Sequence, residues 1–135
     1  MPNVSISQKA AAQMTEHARA TPLQECCGLL AGRCGVVTHV FSAENAAERR
    51  SAAYEIAPRE LFRLMREMRA ARLDFLGIYH SHPQGENHPS PRDLERAYYP
   101  DAAYFILSPR DDAAQPIRAF AIRDGRATEL AIQTV

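Results

Sequence analysis

His80 and His82 stand one residue apart in the stretch YHSHP. In an extended chain, side chains at i and i+2 share a face, so both imidazoles can converge on one point. Asp93 follows eleven residues after His82, across a proline- and glycine-rich loop able to bring a helix start back to the strand end. Two imidazoles and a carboxylate suit Zn²⁺ and leave a fourth tetrahedral corner free for water, the mark of a catalytic rather than a closed structural site. Spacing alone leaves other readings standing. Loop histidines can be ordinary hydrogen-bonded side chains, and Asp93 can serve as a carboxylate at the positive end of a helix. Hydrolysis would also need a base for the water and a donor for the oxyanion. Glu25 is the candidate base, because it precedes the apolar run CCGLLAG, where a carboxylate is otherwise hard to justify. A solvent-facing loop carboxylate is the plain alternative for Glu25. Ser90 is the candidate oxyanion donor. It reads equally as a helix cap, and its oxygen can cap while its proton points at the site.

These residues need elements to carry them. Val4 and Ile6 suggest a short strand, and Ser7 caps a helix from about Gln8 to Arg19. Cys26 to Ala31 reads as a buried strand, reversed at Gly32–Gly35 into a second, Val36 to Phe41. Ser42 to Ala53 is a polar loop, with Tyr54 and Ile56 alternating as a further strand piece. Pro58 opens a helix whose Leu61, Leu64, Met65 and Met68 form one apolar face, with Arg59, Arg63, Arg66 and Arg69 toward solvent. Phe75 to Tyr79 is a core strand. The prolines of the following HSHPQGENHPSPRD keep that segment from continuing as regular strand. Ser90-Pro91 starts a short helix, and Tyr104–Leu107, Ile117–Ile122 and Ala127–Ile132 read as strands, the last two joined at Asp124-Gly125. The order describes an α/β chain with a mixed sheet. Cys27 should pack beside the site in its strand, and Cys26 on the opposite face. His17 and His39 read as ordinary surface or hydrogen-bonded histidines.

Composition limits the function classes. A chain of 135 residues points to one domain, 1–135, with a core that needs no staples. Sixteen Lys+Arg balance sixteen Asp+Glu, which argues against binding nucleic acid through bulk positive charge. No apolar run approaches the ~18–20 residues that span a bilayer, and the first residues lack the pattern of a secretory signal. Cys26, Cys27 and Cys34 are odd in number, with two adjacent, a poor disulfide framework. A reduced, cytoplasmic protein is the expectation.

The combined residues resemble the JAMM, or MPN-type, zinc metallopeptidases, in particular their small stand-alone prokaryotic members. That family's motif is an upstream glutamate, His-x-His-Pro, seven residues, then Ser-x-x-Asp. Here it reads Glu25, His80-Ser81-His82-Pro83, Ser90 and Asp93, with residues 83 to 89 giving the seven. PLQECCGLLAG, Asn45, YEIAPREL and AYFILS extend the likeness over nearly the whole chain. The resemblance implies a mixed, strongly curved β-sheet flanked by helices, the cytidine-deaminase-like/MPN architecture. It also implies one Zn²⁺ held by His80, His82 and Asp93, Glu25 as general base and then proton donor, and Ser90 steadying the tetrahedral intermediate. Ser81 and Pro83 would shape the ligand loop.

The implied substrate is a peptide or isopeptide bond after the C-terminal Gly-Gly tail of a ubiquitin-like or sulfur-carrier protein, the tail lying beside an exposed strand. A homo-oligomer is compatible with the sequence. His88, where relatives commonly have a small residue, reads as a solvent-facing histidine, with a third imidazole near the metal as the alternative. Three rival functions stand beside this one: a non-catalytic scaffold of the same fold, a zinc hydrolase of small-molecule amides, and a structural zinc module.

Overall fold

A computed structural model describes residues 2–135. Seven strands and three helices follow in the order β1 (Asn3–Ile6), α1 (Gln8–Ala20), β2 (Cys27–Arg33), β3 (Val36–Ala43), α2 (Pro58–Ala70), β4 (Asp74–Ser81), α3 (Pro91–Glu95), β5 (Ala103–Leu107), β6 (Ile117–Arg123) and β7 (Arg126–Thr134). The strands pair in the order β1-β3-β2-β4-β5-β6-β7, and β1 pairs in turn with β7, so the mixed sheet curves until it closes. Closure bears on the expected strand addition. An incoming tail finds free pairing positions only where a strand outruns its neighbour, as β3 does beyond Val37, the last of its residues in register with β1.

Both faces of the sheet are covered, which is why the central strands are apolar throughout rather than alternating. One face packs on α1 through Ala10, Met14 and Ala18, and includes Cys26, Leu30, Tyr79 and Phe105. The other packs on α2 through Leu64 and Met68, and includes Cys27, Leu29, Ile78, Tyr104 and Ile106. Cys26 and Cys27 thus point to opposite faces, as alternation requires. Ser7 caps α1 by accepting from the Ala10 amide at 3.0 Å. Asp124-Gly125, both at positive φ, make the tight β6–β7 turn. Among the described residues no helix is long and apolar enough to cross a membrane.

Two local expectations are corrected. Tyr54 and Ile56 belong to no strand. Alternation there has no neighbouring ladder to join, and the segment is instead tied to the Asn45 side chain, which donates to the Ala53 carbonyl and accepts from the Glu55 amide. Conversely, β4 runs two residues past Tyr79, with His80 opposite Cys27 and Ile106, and Ser81 opposite Leu107. The first proline that could interrupt that ladder is Pro83.

Gly28 shows how tightly β2 meets β4. A Cβ there would lie 2.5 Å from the Phe41 carbonyl oxygen and 2.5 Å from the Tyr79 ring. Tyr79 is fully buried, and its hydroxyl meets His17 Nδ1 at 2.7 Å, so the ring has nowhere to retreat. Gly28→Ala is therefore expected to cost about 1–3 kcal/mol through overpacking, read as a lower urea midpoint with an unchanged m-value.

Candidate metal centre and catalytic site

The site forms where β4 ends. His80 is the next-to-last residue of the strand and is 1% exposed. His82 lies just beyond the strand, and its amide still donates to the Leu107 carbonyl at 2.9 Å, prolonging the ladder that fixes both rings. Asp93 arrives on α3 by a capping box. Ser90 Oγ accepts from the Asp93 amide at 3.1 Å, and Asp93 Oδ2 accepts from the Ser90 amide at 2.9 Å. This reciprocal cap aims the carboxylate: the same Oδ2 sits 3.2 Å from His80 Nε2 and 3.1 Å from His82 Nε2. The two Nε2 atoms are 3.1 Å apart.

This triangle fits a metal ion better than it fits hydrogen bonding alone. His82 Nδ1 lies 2.9 Å from the Glu86 carbonyl oxygen, which can only accept, so Nδ1 carries the proton. A neutral His82 then presents its Nε2 lone pair to a carboxylate oxygen and to a second imidazole. The His82 lone pair and the Asp93 carboxylate oxygen face one another across the triangle, an arrangement that a shared cation stabilises. Ligand atoms each bound to a tetrahedral Zn²⁺ lie about 3.3 Å apart, close to the edges of the triangle. The donor set of two nitrogens and one carboxylate oxygen also matches this ion in kind. His80 Nδ1 is buried with no hydrogen-bond partner, while the His80 ring stacks on Tyr54, centroids 4.4 Å apart and planes 21° apart.

Glu25 lies in the segment leading into β2, only 7% exposed. One of its carboxylate oxygens groups with a nitrogen of His80 and of His82, all within 4.8 Å of one another. Burial pushes its pKa up to about 7, reinforced by the Asp93 charge and opposed by His82 and Arg92. Asp93 is the reverse case. Burial works against its charge, but its contacts with the His80 and His82 rings and the hydrogen bond from the Ser90 amide hold its carboxyl well below the usual range. Burial likewise opposes charging of His82, yet its contacts with Asp93 and the Glu86 carbonyl raise its pKa overall. Burial lowers that of His80. Two neighbouring carboxylates are thus set to opposite protonation behaviour: Asp93 is held ionised, and Glu25 takes up a proton readily.

The five residues singled out in the sequence come together here, and the remaining histidines lie elsewhere. His88 is half exposed beside Glu86 at 3.2 Å, away from the triangle. His17 pairs with Tyr79 and His39 with Thr38. Cys27 is buried in the core facing α2, and its thiol is pushed up to about 12 by that burial.

Three further residues support the site. Tyr54 lies flat on His80. Asn87 donates to the Ile106 and Gln115 carbonyls at 3.2 and 2.7 Å and so pins the loop between His82 and Ser90. Ser81 turns away from the triangle, and its Oγ accepts from the Cys26 amide at 2.9 Å. A cleft of about 320 Å³ opens beside Asp93, walled by Tyr54, Ile56, Leu61, Arg92 and Tyr98.

Comparison with known proteins places the chain. Residues 7–123 match the family described as prokaryotic homologs of the JAB domain. The chain is 36% identical over 112 residues to the desampylase of Haloferax volcanii, covering 78% of this chain and 81% of that one. It is 35% identical over 125 residues to the CysO-cysteine peptidase of Mycobacterium tuberculosis, covering 90% and 84%. The solution structure of protein DSY2949 from Desulfitobacterium hafniense superposes with a TM-score of 0.84 at 28% identity, over 98% of this chain and 92% of that one. The chain belongs to the family of prokaryotic homologs of the JAB domain and has the JAB1/MPN fold.

Proposed function

We propose that this chain is a zinc-dependent peptidase cleaving the peptide or isopeptide bond that follows the C-terminal Gly-Gly of a ubiquitin-like or sulfur-carrier protein. The observation that carries the reading is the Nε2–Nε2–Oδ2 triangle with a buried, proton-hungry carboxylate beside it. A desampylase and a peptidase named for CysO-cysteine among its relatives support the substrate class. In this reading residues 1–135 form one catalytic domain acting in the cytoplasm.

His80, His82 and Asp93 hold the Zn²⁺. Bound there, the ion supplies Lewis acidity, which acidifies water and polarises a carbonyl. Glu25, whose pKa is raised by burial, accepts a proton from the attacking water and later gives it to the departing amine. Water oxygen bonds to the scissile carbon, the C–N bond breaks, and the products are a carboxylate and an amine. Ser90 Oγ already accepts from the Asp93 amide, so its own proton is free to meet the oxyanion. Tyr54, stacked on the His80 ring, covers that imidazole.

Ser90 has two roles that one substitution removes together. Ser90→Ala is expected to lower kcat by roughly two to three orders of magnitude through loss of an oxyanion donor. It should also cost about 1 kcal/mol in stability through loss of the cap. Ser90→Thr keeps a hydroxyl for both, and steady-state kinetics with thermal melting of the two variants separates the effects. The function itself is tested by incubating zinc-loaded protein with a sulfur-carrier protein extended beyond Gly-Gly and reading intact mass. Release of the extension at the Gly-Gly boundary supports the reading. Turnover of small acyl-amides with the carrier left intact would favour the small-molecule hydrolase instead.

A further inference from the structure

We propose that Asn45 is a positioning residue for Glu25, fixing where the base stands relative to the histidine pair. The inference rests on Glu25 being that base. Asn45 lies just past β3 and is 9% exposed. Its Nδ2 donates to the Glu25 carbonyl and to the Ala53 carbonyl, each at 2.9 Å. Its Oδ1 accepts from the Ala47 amide at 2.9 Å and the Glu55 amide at 3.1 Å. A primary amide offers two donor hydrogens and one oxygen with two lone pairs, so every capacity of the side chain is used. Rotating the amide by half a turn would set its oxygen against two carbonyls and its NH₂ against two amides, which fixes the orientation.

The base depends on this bracket on one side and on Ser81, which holds the Cys26 amide and carbonyl, on the other. Among the described residues no hydrogen bond reaches the Glu25 carboxylate, and Glu25 stands outside the ladder of β2. Its backbone is gripped at both ends instead: the amide donates to the Arg50 carbonyl at 2.7 Å, and the carbonyl accepts from Asn45. Arg50 lies in the same irregular segment that Asn45 ties down at Ala47, Ala53 and Glu55. Tyr54, between two of those anchors, is the ring stacked on His80. One buried amide therefore sets both the carboxylate and the aromatic cover against the same imidazole. A displacement of about 1 Å in a reacting group can cost on the order of 10²-fold in rate.

Asn45→Asp tests this directly. It keeps an oxygen for the Ala47 and Glu55 amides but replaces the donor to Glu25 and Ala53 with a second acceptor. The zinc-loaded variant is expected to bind one zinc per chain and keep KM within about twofold while kcat falls roughly 10- to 100-fold. Amide hydrogen exchange at Glu25 and Cys26 should accelerate. Asn45→Ala should show the same kcat loss with a larger fall in melting temperature. A folded, zinc-loaded Asn45→Asp protein with wild-type kcat overturns the inference, as does a loss confined to KM or unchanged exchange at Glu25. Failure of both variants to fold would make Asn45 a residue of the fold and overturn it too. Glu25→Gln is assayed alongside. If that protein still turns over, the base assignment has failed; if it is inactive while Asn45→Asp is not, only the role of Asn45 has failed.

Discussion

Glu25→Gln is expected to lower kcat by about 10³-fold or more while leaving one zinc bound per chain. Glutamine has nearly the same shape and fits the same buried position, but it cannot take a proton from water. General-base catalysis is typically worth 10² to 10⁴, and here the same group also returns the proton to the amine. The metal ligands are His80, His82 and Asp93 in this account, so zinc content measured by atomic emission should not change.

Stability should move the other way. Because burial raises the Glu25 pKa to about 7, the folded state prefers the protonated carboxyl. Its stabilising contribution is complete below the ordinary carboxylate pKa and is lost as pH rises through about 7. Zinc-free wild type should therefore weaken relative to zinc-free Glu25→Gln between pH 5 and pH 8, as urea titrations would read. A base that is costly to bury and indispensable to turnover is the usual exchange of stability for function. For the active enzyme the same sign gives kcat/KM that rises with pH on the acid side, at or below about 7, since the bound cation lowers the pKa of Glu25. Glu25→Gln should have no such limb.

Removing Asp93 should have the second large effect, on the metal itself. Asp93 Oδ2 serves both histidine nitrogens and the Ser90 amide at once. Asp93→Ala takes away a ligand, its charge and half of the capping box in one step. Loss of a partner one shell further out commonly costs 10- to 100-fold in metal affinity, so loss of the ligand should cost more than about 100-fold, measured by competition with a chromophoric chelator. Activity should fall to background and not return at micromolar zinc. Asp93→Asn keeps an oxygen for the Ser90 amide, so it should spare α3 while still weakening the metal. That contrast separates ligation from capping.

Much of this site is written locally in the chain. His80 and His82 share a face because a strand alternates, and Asp93 stands at the third position of a helix whose cap is Ser90. Both are short-range rules. Glu25 was visible only as an acid out of place before an apolar strand; its nearness to the histidines comes from β2 lying beside β4, a pairing between residues about fifty apart. The motif resemblance, rather than periodicity, joined it to the others. Tyr54 is not legible in this way: alternation with Ile56 imitates a strand, yet no strand runs beside it, and its segment is held by the Asn45 side chain, which donates to the Ala53 carbonyl and accepts from the Glu55 amide on either side of the ring. Asn87 carried no local signal, since an asparagine in a proline-rich loop reads as a turn residue and its partners lie on β5 and just before β6. The curvature that closes the sheet was likewise implied by resemblance, because closure is a property of all the strands together.

The central claim is that one metal ion sits between His80, His82 and Asp93, with Glu25 close by but not bonded to it. A crystal structure of the zinc-loaded protein, with anomalous scattering recorded at the zinc edge, tests this most directly. A single anomalous peak bonded to the two Nε2 atoms and to Asp93 is expected, with the Glu25 carboxylate free of the metal. A peak held by Glu25, His80 and His82 with Asp93 turned away would contradict it.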